Sequence, residues 1–156
     1  MSKKIDNTIV FKTKSFPNVS ETFIVSNIVT SINKGYSFAI IVDEINTKEN
    51  TSQLNLLEEF SLLDKVFKFS QPKGKRKRYI RTIRYLFNPI LFYYFIKYFI
   101  YKGEKSLDYI FTLKFYLKYR KARAFHVHFA TAINPLIELK EIGFLKSRII
   151  VTFHGY

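Results

Sequence analysis

Short runs that are apolar at every position recur along this chain: Ile9-Val10-Phe11, Phe38-Ala39-Ile40-Ile41-Val42 and Ile149-Ile150-Val151. A strand with one face in water alternates apolar and polar residues. A run without alternation has both faces buried, as in a parallel sheet covered by helices. The chain has 156 residues, enough for one domain with a substantial core, and its 47% apolar content argues against disorder.

The segments between the runs carry helical patterns. A first strand is expected over Thr8–Phe11, then a loop through Ser15–Thr22 containing Pro17. Asn18 precedes Glu21 by three residues, the spacing of a capping box. The helix that follows puts Phe23, Ile24, Ile28 and Ile32 on one face and ends near Gly35. A second strand over Phe38–Val42 ends at Asp43. A helix over Leu54–Leu63 and a short strand over Val66–Phe69 come next. Tyr79–Tyr101 reads as a long helical segment broken near Asn88-Pro89, and Ser106–Ala122 as another helix. Phe125–Phe129 is a strand, Pro135–Ile142 a helix closed by Gly143, and Arg148–Phe153 the last strand. The progression predicts an α/β fold: a Rossmann-like parallel sheet with helices on both faces. Such sheets bind ligands at the carboxyl ends of their strands.

Three polar clusters fall at those ends. The first holds Ser20, Glu21 and Thr22, the second His126 and His128, the third His154 and Gly155. Each has a plain structural alternative. Ser20, Glu21 and Thr22 are good residues for a helix start, where oxygens satisfy free N–H groups and an acid suits the dipole. His126 and His128 are two apart in a strand and share a face. No third ligand stands at metal-binding spacing, and the chain has no cysteine, so no metal site is expected. No G-x-S-x-G elbow supports a serine triad. His154 is the expected catalytic residue: a strand delivers it to the sheet edge, and Gly155 leaves room for a ligand. Its plain alternative is an exposed terminal histidine.

The segment SFPNVSETFIVSNIVTSINKGYSFAIIV resembles the opening of family 4 glycosyltransferases of the GT-B fold, especially those of exopolysaccharide assembly. FHVHFATAINPL is similar to that family's H-x-H-F segment, and VTFHGY to its T-x-H-G-Y segment. The three motifs stand in the family's order. From Asn46 to Arg123 only the architecture matches. The resemblance implies a truncated amino-terminal, acceptor-side Rossmann-like domain without the donor-binding half and its E-x7-E glutamates. It also implies a hexosyltransferase-type enzyme moving a sugar from a nucleotide diphosphate to a saccharide or lipid-linked acceptor, with no cofactor and inactive as this piece alone. Ser20, Glu21 and Thr22 would face the cleft, His154 would approach the donor sugar or reacting hydroxyl, and His126 and His128 would line the floor. Relatives carry glycines after the first strand for backbone contact with the diphosphate. Ser15–Val19 has none, which favours side-chain contacts there.

The formal net charge is +14, which calls for an anionic partner. Lys73, Lys75, Arg76, Lys77 and Arg78 form a dense run. Lys77, Arg81 and Arg84 continue as a stripe at i, i+4, i+7 beside a second stripe of Ile80, Ile83, Phe87 and Ile90. This is the pattern of a basic amphipathic helix on an anionic membrane surface. The following YLFNPILFYYFIKYFIY is apolar but interrupted by Asn88, Pro89 and Lys97, and reads as an interfacial segment. The alternative is a core helix with a solvated basic loop. No signal peptide is expected from the opening residues, and the resemblance implies a cytoplasmic protein, peripheral on the inner face of the plasma membrane. A non-enzymatic membrane- or nucleic-acid-binding module is the rival class. No nucleic acid is expected as partner, because no RRM, KH, OB or helix-turn-helix pattern is present.

Overall fold

The computed structural model describes residues 7–19, 22–103 and 106–153. They form two compact units. The first contains a five-stranded, all-parallel sheet in the order β3-β2-β1-β4-β5. Its strands are β1 (Thr8–Phe16), β2 (Ser37–Ile45), β3 (Val66–Lys68), β4 (Ala124–His128) and β5 (Arg148–Thr152). The sheet is flanked by helices, which makes the fold α/β and Rossmann-like, as the apolar runs predict.

β1 and β2 are both longer than their apolar runs. The polar residues Lys12 and Thr13 are buried, and β1 stays paired through Ser15↔Glu44 and Phe16↔Ile45. The ladder satisfies backbone groups whatever the side chain, so pairing outlasts the apolar pattern. Lys12 takes Asp43 as its partner, with Nζ 3.8 Å from the carboxylate. Burial lowers the Lys12 pKa below its ordinary value, and Asp43 opposes that shift.

Helix α1 (Thr22–Asn33) buries Ile24, Val25 and Ile28 against Phe11, Ile40 and Val42, with Phe23 and Ile32 at the margin. Each fully buried isoleucine contributes about 1.5–3 kcal/mol. Gly35, at φ +80°, closes the helix, and Tyr36 N–H donates back to the Ser31 carbonyl at 3.1 Å. Helix α2 (Leu54–Glu59) is shorter than expected. Ser61 adopts φ 47°, and a 3-10 turn covers Leu62–Lys65. The break has a packing cause. Leu57 and Leu62 are both buried in one core, yet an unbroken helix would set them about 140° apart.

The second unit is helical: α3 (Lys75–Leu86), α4 (Pro89–Lys102), α5 (Tyr109–Tyr116) with a 3-10 turn over Leu117–Tyr119, and α6 (Leu136–Glu141). The break at Asn88-Pro89 is a helix start. Asn88 Oδ1 accepts from the N–H groups of Ile90 (3.0 Å) and Leu91 (3.1 Å), and Pro89 stands where no donor is needed. α4 buries Leu91, Tyr94, Phe95 and Tyr98, one helical face. Arg120 ties the unit together, its Nε donating to the Phe144 carbonyl at 2.9 Å and its Nη2 to Tyr94 at 2.8 Å. Glu138 accepts from Tyr98 and from Lys102. Burial alone would raise the Glu138 pKa, but these two bonds together with the Lys102 charge outweigh it and hold the carboxyl below its ordinary value.

Candidate functional site

The sheet order makes β1 the point where the chain reverses its direction of winding. β2 and β3 lie on one side of it, β4 and β5 on the other. At such a switch point the loops leaving adjacent strands diverge and open a crevice at the carboxyl edge. Here the adjacent strands are β1 and β4, paired from Ile9↔Ala124 to Lys12↔Val127.

From β1 the chain leaves through Pro17, Asn18 and Val19. This exit is anchored, because Asn46 N–H donates to the Phe16 carbonyl at 3.0 Å and Asn46 Nδ2 to the Pro17 carbonyl at 2.9 Å. Val19 is exposed, and Thr22, the first residue of α1, is exposed too. Ser20 and Glu21, and with them the expected capping box, lie outside the described residues.

From β4 come the two histidines, whose rings lie 4.3 Å apart. They share a face, as their spacing predicts, but their surroundings differ. His128 is fully buried, stacked on Phe11 at 6.3 Å and tilted against Phe23 at 5.6 Å. His126 is half-buried, and its Nε2 lies 2.7 Å from Thr152 Oγ1 on β5. His128, the last residue of β4, is therefore closed into aromatic packing, while His126, two residues earlier, is keyed to the neighbouring strand. Register sets Thr152 opposite His128, so β5 ends level with β4 and leads to exposed Phe153. His154 and Gly155 lie outside the described residues.

Two residues at this edge escape sequence reasoning. Thr152 is one, since nothing local marks it as a histidine's partner. Phe129 is the other. It follows β4 at φ 70°, ψ 132°, a region that costs a bulky residue on the order of 1–3 kcal/mol. Its N–H donates to the Thr152 carbonyl at 3.2 Å, and its ring meets Phe23 edge-on at 6.1 Å. Strained backbone is concentrated at functional sites, and no sequence signal carries it.

The basic stripe lies in the second unit. Lys77, Arg81 and Arg84 are exposed on α3. The apolar stripe beside them is also exposed: Ile80, Ile83, Phe87 and Ile90 all stand in solvent, Phe87 by 83%. Only Thr82 of α3 is buried. On α4, Phe92, Tyr93, Ile96, Ile100 and Tyr101 are exposed. The core-helix alternative therefore does not hold for α3, whereas α4 buries Leu91, Tyr94, Phe95 and Tyr98 as that alternative expects. Among the described residues no helix is long and apolar enough to cross a membrane, and no group of three metal-ligating side chains occurs.

No protein-family model, curated protein or solved structure matches the chain.

Proposed function

We propose that this chain is the amino-terminal, acceptor-side half of a glycosyltransferase of surface-polysaccharide assembly, working against an anionic membrane surface. The observation that carries this reading is the switch point between β1 and β4. The segments that resemble family 4 transferases leave β1, β4 and β5 at their carboxyl ends, where an α/β sheet binds ligands. Thr22 at the start of α1 supplies a polar side chain to that edge, and half-buried His126, held by Thr152, lies two residues before the end of β4. His128, the last residue of β4, packs its buried ring 4.3 Å from that of His126. Ser20, Glu21, His154 and Gly155 complete the site in this proposal. The donor nucleotide sugar would be held by a second domain.

The membrane side is supported by charge and exposure together. α3 presents Lys77, Arg81 and Arg84 next to bare Ile80, Ile83 and Phe87. Acidic headgroups would take the cations, and the acyl boundary would take the apolar side chains.

The test has two arms. Incubation of the chain with nucleotide sugars and lipid-phosphate acceptors should give no turnover, while saturation-transfer NMR should detect acceptor saccharide binding that weakens in His126→Ala. Donor-dependent product from this chain alone, or the absence of any saccharide binding, would overturn the proposal.

A further inference from the structure

Within the second unit, α3, α5 and the start of α4 line an open cavity of about 580 Å³, formed by Arg81, Arg84, Tyr85, Asn88, Leu91 and Lys114. Its volume is that of a small-molecule site. Three of the six lining residues are cations, and they come from two helices far apart in sequence. Among the described residues none of the three has a carboxylate within ion-pair distance. Arg78, one turn earlier on α3, shows the contrast, since it is paired with Asp108. Converging like charges with no acid between them repel, and the fold tolerates them without neutralisation.

We propose that this cavity binds a terminal phosphate or diphosphate group. A terminal phosphate carries close to two charges and several acceptor oxygens. The arginine forks match those oxygens in pairs, and the lysine supplies a point charge. A carboxylate would leave two of the three cations uncompensated. The walls are organised in advance. Lys114 Nζ stands 5.7 Å from the Tyr85 ring centre, and Tyr85 rests edge-on against Phe111 at 5.9 Å. Asn88 commits its carbonyl oxygen to capping α4, which leaves its Nδ2 as a donor. Leu91 is buried at the floor, and exposed Phe87 and Ile90 flank Asn88, an apolar bed for whatever the phosphate is attached to. The inference deepens the anionic-surface reading of α3, and rests on it for a lipid as the phosphate's source. A soluble phosphate ester is the other source with the same chemistry.

The probes are inorganic pyrophosphate, measured by titration calorimetry, and neutral vesicles doped with phosphatidic acid or phosphatidylglycerol at matched surface potential. Binding of pyrophosphate, or a preference for the monoester lipid over the diester lipid, is expected. Lys114→Gln and Arg84→Gln should each weaken it about tenfold. Lys34→Gln removes the same charge from an exposed position in the other unit and should leave it unchanged. Thermal unfolding of each variant verifies that the fold is intact. Pyrophosphate binding without vesicle binding supports the cavity and removes the lipid source. Vesicle binding that ignores the headgroup, with no pyrophosphate binding, overturns the cavity while the anionic-surface reading stands. Phosphate binding that survives both cavity substitutions also overturns it, as does binding of neither probe.

Discussion

Replacing Ile80, Ile83 and Phe87 by serine separates an interfacial helix from a core helix. These side chains are 56%, 41% and 83% exposed, so nearly two side chains' worth of apolar surface stands in water. Full burial of one such side chain is worth about 1.5–3 kcal/mol, which puts transfer of the exposed portion into an acyl boundary at about 3–5 kcal/mol. The triple variant should lose at least about a hundredfold in affinity for vesicles containing acidic lipid. Folding should respond far less, because exposed substitutions stay within about 0.5 kcal/mol each. Were the same residues in a core, truncation would cost about 2–5 kcal/mol apiece. Co-sedimentation with vesicles and a urea titration on the same preparation read both quantities. A large drop in urea midpoint, or vesicle binding equal to wild type, would refute the reasoning.

Thr152→Val should remove the 2.7 Å contact with His126 and cost about 0.5–1.5 kcal/mol, and a double-mutant cycle with His126→Ala should recover that coupling in urea midpoints. Gly35→Ala should cost about 1 kcal/mol through its φ of +80° alone, since an added Cβ meets nothing within 4 Å; unchanged chemical denaturation would contradict this. Lys12→Met should alter the alkaline limb of stability. The Lys12 pKa is lowered in the folded state, so below the ordinary value of 10.5 the unfolded chain binds more protons at this site. Its contribution to stability therefore rises with pH from the folded pKa up to 10.5, and the wild-type stability relative to Lys12→Met, followed by urea midpoints, should grow in that window. Tyr98 and Tyr119 have raised pKa values through burial and pull stability down above their ordinary value of 10.0 in both proteins, so the difference isolates Lys12.

Where helix and strand lie was legible because burial on both faces leaves a direct mark in composition. Ile9-Val10-Phe11, Phe38–Val42 and Ile149–Val151 all became strands of one parallel sheet, and the Asn18–Gly35 segment held α1, with Ile24 and Ile28 of the predicted face buried and Phe23 and Ile32 partly so. The stop and start at Asn88-Pro89 was legible for a similar reason. A cap and a proline act through their own backbone and need no distant partner. Element ends were less legible. β1 runs on through Lys12 and Thr13 because β2 continues beside it, and α2 breaks at Ser61 because Leu57 and Leu62 share one core.

The candidate site divides along the same line. Sequence pattern determined that His126 and His128 share a face and that Lys77, Arg81 and Arg84 form a stripe, because each depends only on local period. Tertiary structure alone decided that His128 is buried and His126 bonded to Thr152, that Phe129 takes a strained conformation, that the α3 stripe is bare, and that Lys114 joins Arg81 and Arg84 around one cavity. Those outcomes are set by what comes to lie against each side chain from remote parts of the chain, and period along a sequence carries no information about that neighbour.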